Sequence, residues 1–292
     1  MGGVARLLSQ LAEREEDIAD AFFERVEEVE VAPEGEAPRV RVRREEGFAV
    51  RLVREGRTWL AARDELAPRA FAEALRQVAR ALAPAPYPEP ALAAEPAGAT
   101  GALELLELPG AVERAVRAEH VGFPLRVGVR RHRRWVQVVG PRLVPAAESE
   151  TFYSAVVETP WGRHGALLPE LGSAAAAGLA AAAVALFRSR EAPPPAPDRM
   201  TAVLGPGAAA VLLHEAVAHA LESDTLALGG PVEAAVGVAL AASGLDVLDD
   251  PSAAPPGVRR TTDDEGMPVC RRWLLRGGIG RASCRERVWI PV

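Results

Sequence analysis

The chain has no lysine and no asparagine, and its 292 residues include only two cysteines, Cys270 and Cys284. All 34 of its strongly basic side chains are therefore arginine. With alanine and proline abundant, this composition reads as the codon bias of a GC-rich genome; a lysine-free surface adapted to heat is the alternative. Two cysteines exclude a disulfide framework and suit a reducing compartment. Met1 to Gln10 lacks a basic stretch leading into a strong apolar core, so no signal peptide is expected. The long apolar run from Leu171 to Phe187 is mostly alanine and slightly short for a membrane span, so a soluble helix is expected there. A net charge of −6 offers nucleic acid no electrostatic footprint. These absences point to the cytoplasm, with neither nucleic acid nor membrane as a partner.

Isoleucine is also scarce. Ile18 is the only one before Ile279 and Ile290. The stretch Ile279-Gly280-Arg281-Ala282-Ser283-Cys284-Arg285-Glu286-Arg287-Val288 resembles the conceptual translation of a common sequencing adapter. The natural chain is accordingly expected to be cut near Gly278, leaving 279–292 as an artefactual tail.

About half of the chain is apolar and a quarter charged, and its length suits two or three globular domains. Residues 1–82 read as an N-terminal α+β domain of α/β-sandwich type. A helix is expected over Val4–Glu13, with strands over Phe22–Val31, Arg39–Arg43, Gly47–Arg54 and Thr58–Ala62. Glu55-Gly56 reads as a tight hairpin turn. Leu66-Ala67-Pro68 opens a helix that runs to Leu82. The Pro- and Ala-rich stretch 83–99 reads as a linker or an extended surface segment.

Residues 100–190 read as a middle α+β domain. Its helix over Glu104–Glu119 should break at Pro109-Gly110. Leu125–Val129 and Trp135–Val139 should pair, with Arg130-Arg131-His132-Arg133-Arg134 as a solvated turn between them. Strands over Thr151–Glu158 and His164–Leu168 follow, then an alanine-driven helix over Leu171–Arg188. After a second Pro-rich linker, 192–197, residues 199–278 begin a β-rich C-terminal domain. It should open with a buried strand, Thr201–Leu204, and a helix, Ala208–Glu222. The fold class is therefore α+β throughout.

That last helix carries Leu212-Leu213-His214-Glu215-Ala216-Val217-Ala218-His219-Ala220-Leu221-Glu222. Two imidazoles beside a carboxylate can form a hydrolytic metal site, in which His214 and His219 hold Zn²⁺ and Glu215 acts as general base. The apolar flanks would make Glu215 a buried charge in need of a partner. The spacing is His-Glu-x-x-x-His, one residue longer than the usual zinc-protease helix. On an α-helix, positions five apart differ by about 140°, so the rings would not share a face. A one-residue π-bulge, or a distortion near the helix end, restores a common face. Two ordinary helix histidines are the alternative.

A catalytic zinc takes three protein ligands. Cys270 is a candidate for the third, or else a small buried residue of a strand. Glu222 and Asp224 could orient the imidazoles or form a solvated turn. His120, His132 and His164 read as a helix end, a solvated turn and a loop. The run Thr262-Asp263-Asp264-Glu265-Gly266 could bind a cation or a substrate amine, or form an exposed turn.

The segment Gly205-Pro206-Gly207 followed by Val211 to Asp224 resembles the signature of the TldD/PmbA family of metallopeptidases, once called modulators of DNA gyrase. Asp263-Asp264-Glu265-Gly266, Trp273 to Gly278, and Gly47 to Leu52 are similar to that family in weaker form. The resemblance implies a cytoplasmic zinc-dependent peptidase that hydrolyses peptides or unfolded protein segments. Its active TldD-type subunit carries the motif, so His214 and His219 are implied metal ligands and Glu215 the catalytic residue. It also implies a homo- or hetero-dimer with a TldD/PmbA-type subunit. The family's third ligand is a cysteine much nearer the C-terminus, and neither Cys270 nor Cys284 matches its place. The resemblance therefore leaves a second expectation: a non-catalytic assembly subunit, inactive as a truncated chain.

Overall fold

The computed structural model describes residues 2–34, 37–80, 88, 90, 103–141, 143, 146–193, 197–221, 237–255 and 257–281. The fold is α+β. The chain forms two compact units: 1–193 together with 255–268, and 194–254 together with 269–292.

The first unit is built on one antiparallel sheet of six strands, to which the segments before and after the Pro-rich stretch contribute three each. They are β1 (Ile18–Glu34), β2 (Ala37–Arg54), β3 (Arg57–Arg63), β4 (Arg126–Val139), β5 (Ala146–Thr159) and β6 (Gly162–Leu168), in the order β3-β2-β1-β4-β5-β6. Side chains alternate between the faces of a strand. Odd-numbered residues of β1 and β4 therefore share the face that four helices cover.

Helices α1 (Gly2–Leu11) and α2 (Pro68–Ala79) pack over Phe23, Phe48, Val50 and Leu52, where Phe71 stacks 5.4 Å from Phe23. Helices α3 (Leu103–Ala118) and α4 (Ser173–Ser189) pack over Val29, Val31, Val129 and Val157. Between the two helix pairs lies a groove of about 550 Å³ lined by Arg25, Glu27, Arg44, Glu46 and Arg133, among others.

Several expectations are corrected. The arginine run 130–134 is the middle of β4, not a turn. Its side chains meet the acids of β1: Arg130 to Glu30 at 3.1 Å, Arg131 to Glu27 at 2.8 Å, and Arg134 to Glu24 at 2.5 Å. Cross-strand pairs of opposite charge support a strand that composition alone assigns to a loop. His132 is half-buried in the same strand, its Nδ1 3.3 Å from Glu28 and its ring 4.7 Å from that of Phe152. The two expected strands 39–43 and 47–54 are one long strand, β2. Pro109 lies within α3 without ending it, and His164 belongs to β6. The Glu55-Gly56 turn is found as expected, with both residues at positive φ (51° and 70°). The stretch 83–99, apart from Pro88 and Pro90, lies outside the described residues.

On the uncovered face of the sheet lies a strap, residues 257–266. Glu148 Oε1 accepts the backbone N–H groups of Thr261 (2.9 Å) and Thr262 (2.8 Å). Arg260 reaches Glu150 at 2.9 Å, Arg134 reaches Asp264 at 3.1 Å, and Arg51 reaches Glu265 at 2.9 Å. The acidic run read as a cation site or an exposed turn is thus a turn whose acids are taken up by the sheet's arginines, while Asp263 Oδ1 accepts the N–H groups of Glu265 and Met267.

In the second unit, the expected buried strand over Thr201–Leu204 is instead exposed and irregular, with Val203 95% exposed. Helix α5 (Pro206–Leu213) follows, with Pro206 in its first turn. A small antiparallel sheet is formed by β7 (Val247–Asp249), β8 (Arg272–Arg276) and β9 (Ile279–Gly280), in that order. Gly277 and Gly278 turn the chain between β8 and β9 at positive φ. A Cβ on Gly278 would lie 2.3 Å from the carbonyl oxygen of Ala241, so only glycine fits.

Candidate metal centre

Helix α5 does not continue as an α-helix through the motif. Residues His214–Ala218 form a π turn, closed by the N–H of His219 donating to the carbonyl of His214, and His219–Leu221 form a 3-10 turn. An i→i+5 bond takes up one residue more per turn than the α-helical bond. Residues five apart thereby come to lie one above the other. The rings of His214 and His219 have centroids 4.4 Å apart and meet edge to face. Both departures that could reconcile the spacing with a shared face are present: the π turn between the histidines and the 3-10 turn that begins at His219.

The π turn is held from below by a row of apolar side chains. Leu213, Val217 and Leu221 pack with Val247, Leu275, Ala241 and Leu274 of the same unit. These anchors recur every four residues and fix the helix's inner side. His214, Glu215 and His219 are left on the solvent side.

Each of the three offers a ligand atom, and these atoms all lie within 4.8 Å of one another. His219 Nε2 is 4.0 Å from Glu215 Oε2. Neutral imidazole nitrogens are the ligands divalent zinc prefers, and two of them on one ion must sit a few ångströms apart. The donor set fits a divalent cation.

Glu215 is 66% exposed and is no buried charge demanding compensation. The metal reading rests on geometry, not on burial. Cys270 is an exposed residue in an irregular stretch before β8, neither strand nor buried. Arg272 Nε donates to its sulfur at 3.2 Å. Among the described residues it is not part of the donor group. Glu222, Asp224 and Cys284 lie outside the described residues.

Residues 197–282 match the family model of the PmbA/TldA metallopeptidase C-terminal domain. The resemblance to TldD/PmbA proteins is thereby borne out, and the segment it rests on contains both the π turn and the small sheet. Among solved structures, the chain is similar to TldE from Thermococcus kodakarensis, with a TM-score of 0.66 and 18% identity over 96% of this chain and 69% of that one. It is also similar to a protein from Bacteroides thetaiotaomicron described as a modulator of DNA gyrase, with a TM-score of 0.63 and 15% identity over 96% of this chain and 71% of that one. A third, from Thermotoga maritima and described in the same words, gives a TM-score of 0.56 and 15% identity over 96% and 69%. At these identities the likeness is one of fold. No curated protein matches the chain. No helix among the described residues is long and apolar enough to cross a membrane.

Proposed function

We propose that this chain is the TldD-type, motif-bearing subunit of a zinc-dependent peptidase that hydrolyses peptides or unfolded protein segments in the cytoplasm. The observation that carries this reading is the π turn, which gathers His214, Glu215 and His219 within reach of one ion. His214 and His219 would hold the cation as neutral imidazoles. When bound, the cation would supply Lewis acidity toward a substrate carbonyl and water. Glu215 takes the proton of the attacking water at a carboxylate oxygen and returns it to the leaving amine nitrogen. Its exposure leaves it open to both. A dimer with itself or with a TldD/PmbA-type relative is part of the proposal, supported by the family match.

A second reading is a non-catalytic assembly subunit. It is favoured by the donor group, which among the described residues offers two imidazoles and one carboxylate where a catalytic zinc takes three ligands and keeps the base free. One experiment separates the two. Zinc content and cleavage of an unstructured peptide are measured for the wild-type chain and for Glu215→Gln. The peptidase reading expects zinc in both and cleavage only in the wild type. Zinc without cleavage in either supports the assembly subunit. No zinc in the wild type, or undiminished cleavage by Glu215→Gln, overturns the metallopeptidase reading.

A further inference from the structure

Strand β2 is 18 residues long, but β3 covers only its second half: pairing with β3 runs from Phe48 to Arg54. On the other side β1 pairs with all but the last residue. Among the described residues, no strand pairs with the outer edge of 37–46. Ten consecutive residues are exposed there, an edge of about 33 Å at the usual rise. Unpaired strand edges of this length invite another chain, and proteins normally shorten, cover or charge them.

The edge has a regular pattern. Arg39, Arg41 and Arg43 alternate with Val40 and Val42, so the arginines line one face and the valines the other. Val40 and Val42 are 44% and 56% exposed, although their partners on β1, Val31 and Val29, are buried beneath α3 and α4. The apolar stripe of the sheet thus runs past its helical cover and ends in the open. Among the described residues the arginines make surface pairs: Arg39 with Glu34 at 3.3 Å, Arg41 with Glu30 at 3.9 Å, and Arg43 with Glu45. Each guanidinium has five N–H donors, so such pairs leave most of them available.

The inner side of β2 already shows which sequence fits it. There Arg43, Val42, Arg41 and Val40 lie directly opposite Glu28, Val29, Glu30 and Val31 of β1. We infer that the free edge of β2 takes up an extended acidic partner segment by strand addition, with acidic side chains beside the arginine row and apolar ones beside Val40 and Val42. Backbone hydrogen bonds hold such a strand, and the alternating side chains select it. A second copy of this edge is a poor occupant, because it would bring arginine against arginine, and like charges directly opposite destabilise a pair. The arginines thus leave the edge open to one sign of partner and closed to itself. The inference is independent of the metal centre.

The test uses the full chain and a fluorescent peptide of alternating glutamate and valine, read by anisotropy. A lysine-valine peptide and a glutamate-valine peptide interrupted by proline serve as controls. Only the uninterrupted acidic peptide should bind, at least tenfold more weakly to the triple variant R39Q/R41Q/R43Q and more weakly as salt rises. Should the triple variant melt early, Arg41→Gln alone should still weaken binding. On the wild-type chain, hydrogen exchange should show new protection within residues 38–46. Equal binding of acidic and basic peptides, protection at the other sheet edge (162–168), self-association through 38–46, or no binding at millimolar peptide would each overturn the inference.

Discussion

In and beside the six-stranded sheet, charges meet their opposites: Asp17, just before β1, with Arg54, and across strands Asp20 with Arg51, Glu27 with Arg131, Glu24 with Arg134. On the motif helix, His214, Glu215 and His219 are gathered on the solvent side of a π turn, and among the described residues the buried core beneath them is Leu221, Val247 and Leu275. The first set of charges is built into the fold. The second set sits on a distortion, and distortions of that kind concentrate at functional sites. Removing a charge should therefore cost stability in the sheet and chemistry, not stability, on the helix.

The largest effect is expected at Asp17, whose side chain is 1% exposed and 2.6 Å from Arg54. Asp17→Ala leaves the Arg54 guanidinium with only the Leu11 carbonyl at 3.2 Å and the exposed Glu13 at 3.6 Å, and should cost about 3 kcal/mol in urea unfolding. Burial alone would raise the Asp17 pKa. The Arg54 guanidinium and the Arg14 N–H outweigh it and hold the carboxyl below its ordinary value. The stabilisation is therefore present above the unfolded pKa of about 4 and lost as pH falls through the lower folded value. Asp17→Asn should flatten that acid limb.

Next is Gly278→Ala, which forces a Cβ between the carbonyls of Ala241 and Ala242 at a φ of 72°. A loss of about 1–3 kcal/mol is expected. It should be confined to the small sheet, with amide exchange rising at 272–280 and unchanged in β1 to β6.

A comparable or smaller loss, roughly 1–3 kcal/mol, is expected for Arg134→Ala, which leaves Glu24 without its guanidinium and Asp264 with Arg260 alone. Amide exchange over 261–266 should accelerate. In the wild type, burial pushes the carboxyls of Asp264 and Glu148 upward, and their hydrogen bonds more than offset it, so both titrate below their ordinary values. Their hold on the strap should therefore be full above the ordinary carboxylate range of about 4 and be lost as pH falls through the lower folded values. Burial holds Glu150 above its ordinary value, which works in the opposite direction.

The smallest effect on stability is expected at the motif. His214→Ala should stay within about 0.5 kcal/mol of wild type, as surface substitutions do, while sharply weakening zinc binding measured by chelator competition.

Much of this division can be read in the sequence. Alternation locates β1, β3, β5 and β6, Glu55-Gly56 locates a hairpin, and the five-residue spacing of His214 and His219 demands a distortion that the structure supplies. What sequence reasoning misses depends on long-range pairing. Arg130–Arg134 looks like a solvated turn until the acids of β1, about a hundred residues earlier, lie beside it. The acidic run 262–266 looks like a ligand site until Arg51, Arg134 and Arg260 occupy it. Thr201–Leu204 looks like a buried strand because it is apolar, yet no strand lies beside it among the described residues. Exposure of Glu215 could not be read from its apolar neighbours, because the row Leu213, Val217, Leu221 turns those neighbours inward and the carboxylate out.

The most direct test of the central claim is X-ray absorption at the zinc edge of the zinc-loaded chain. Two imidazole nitrogens at about 2.0–2.1 Å from a single ion are expected, with one lost in His214→Ala and one in His219→Ala. A spectrum with one imidazole or none, or one that neither substitution changes, would contradict it.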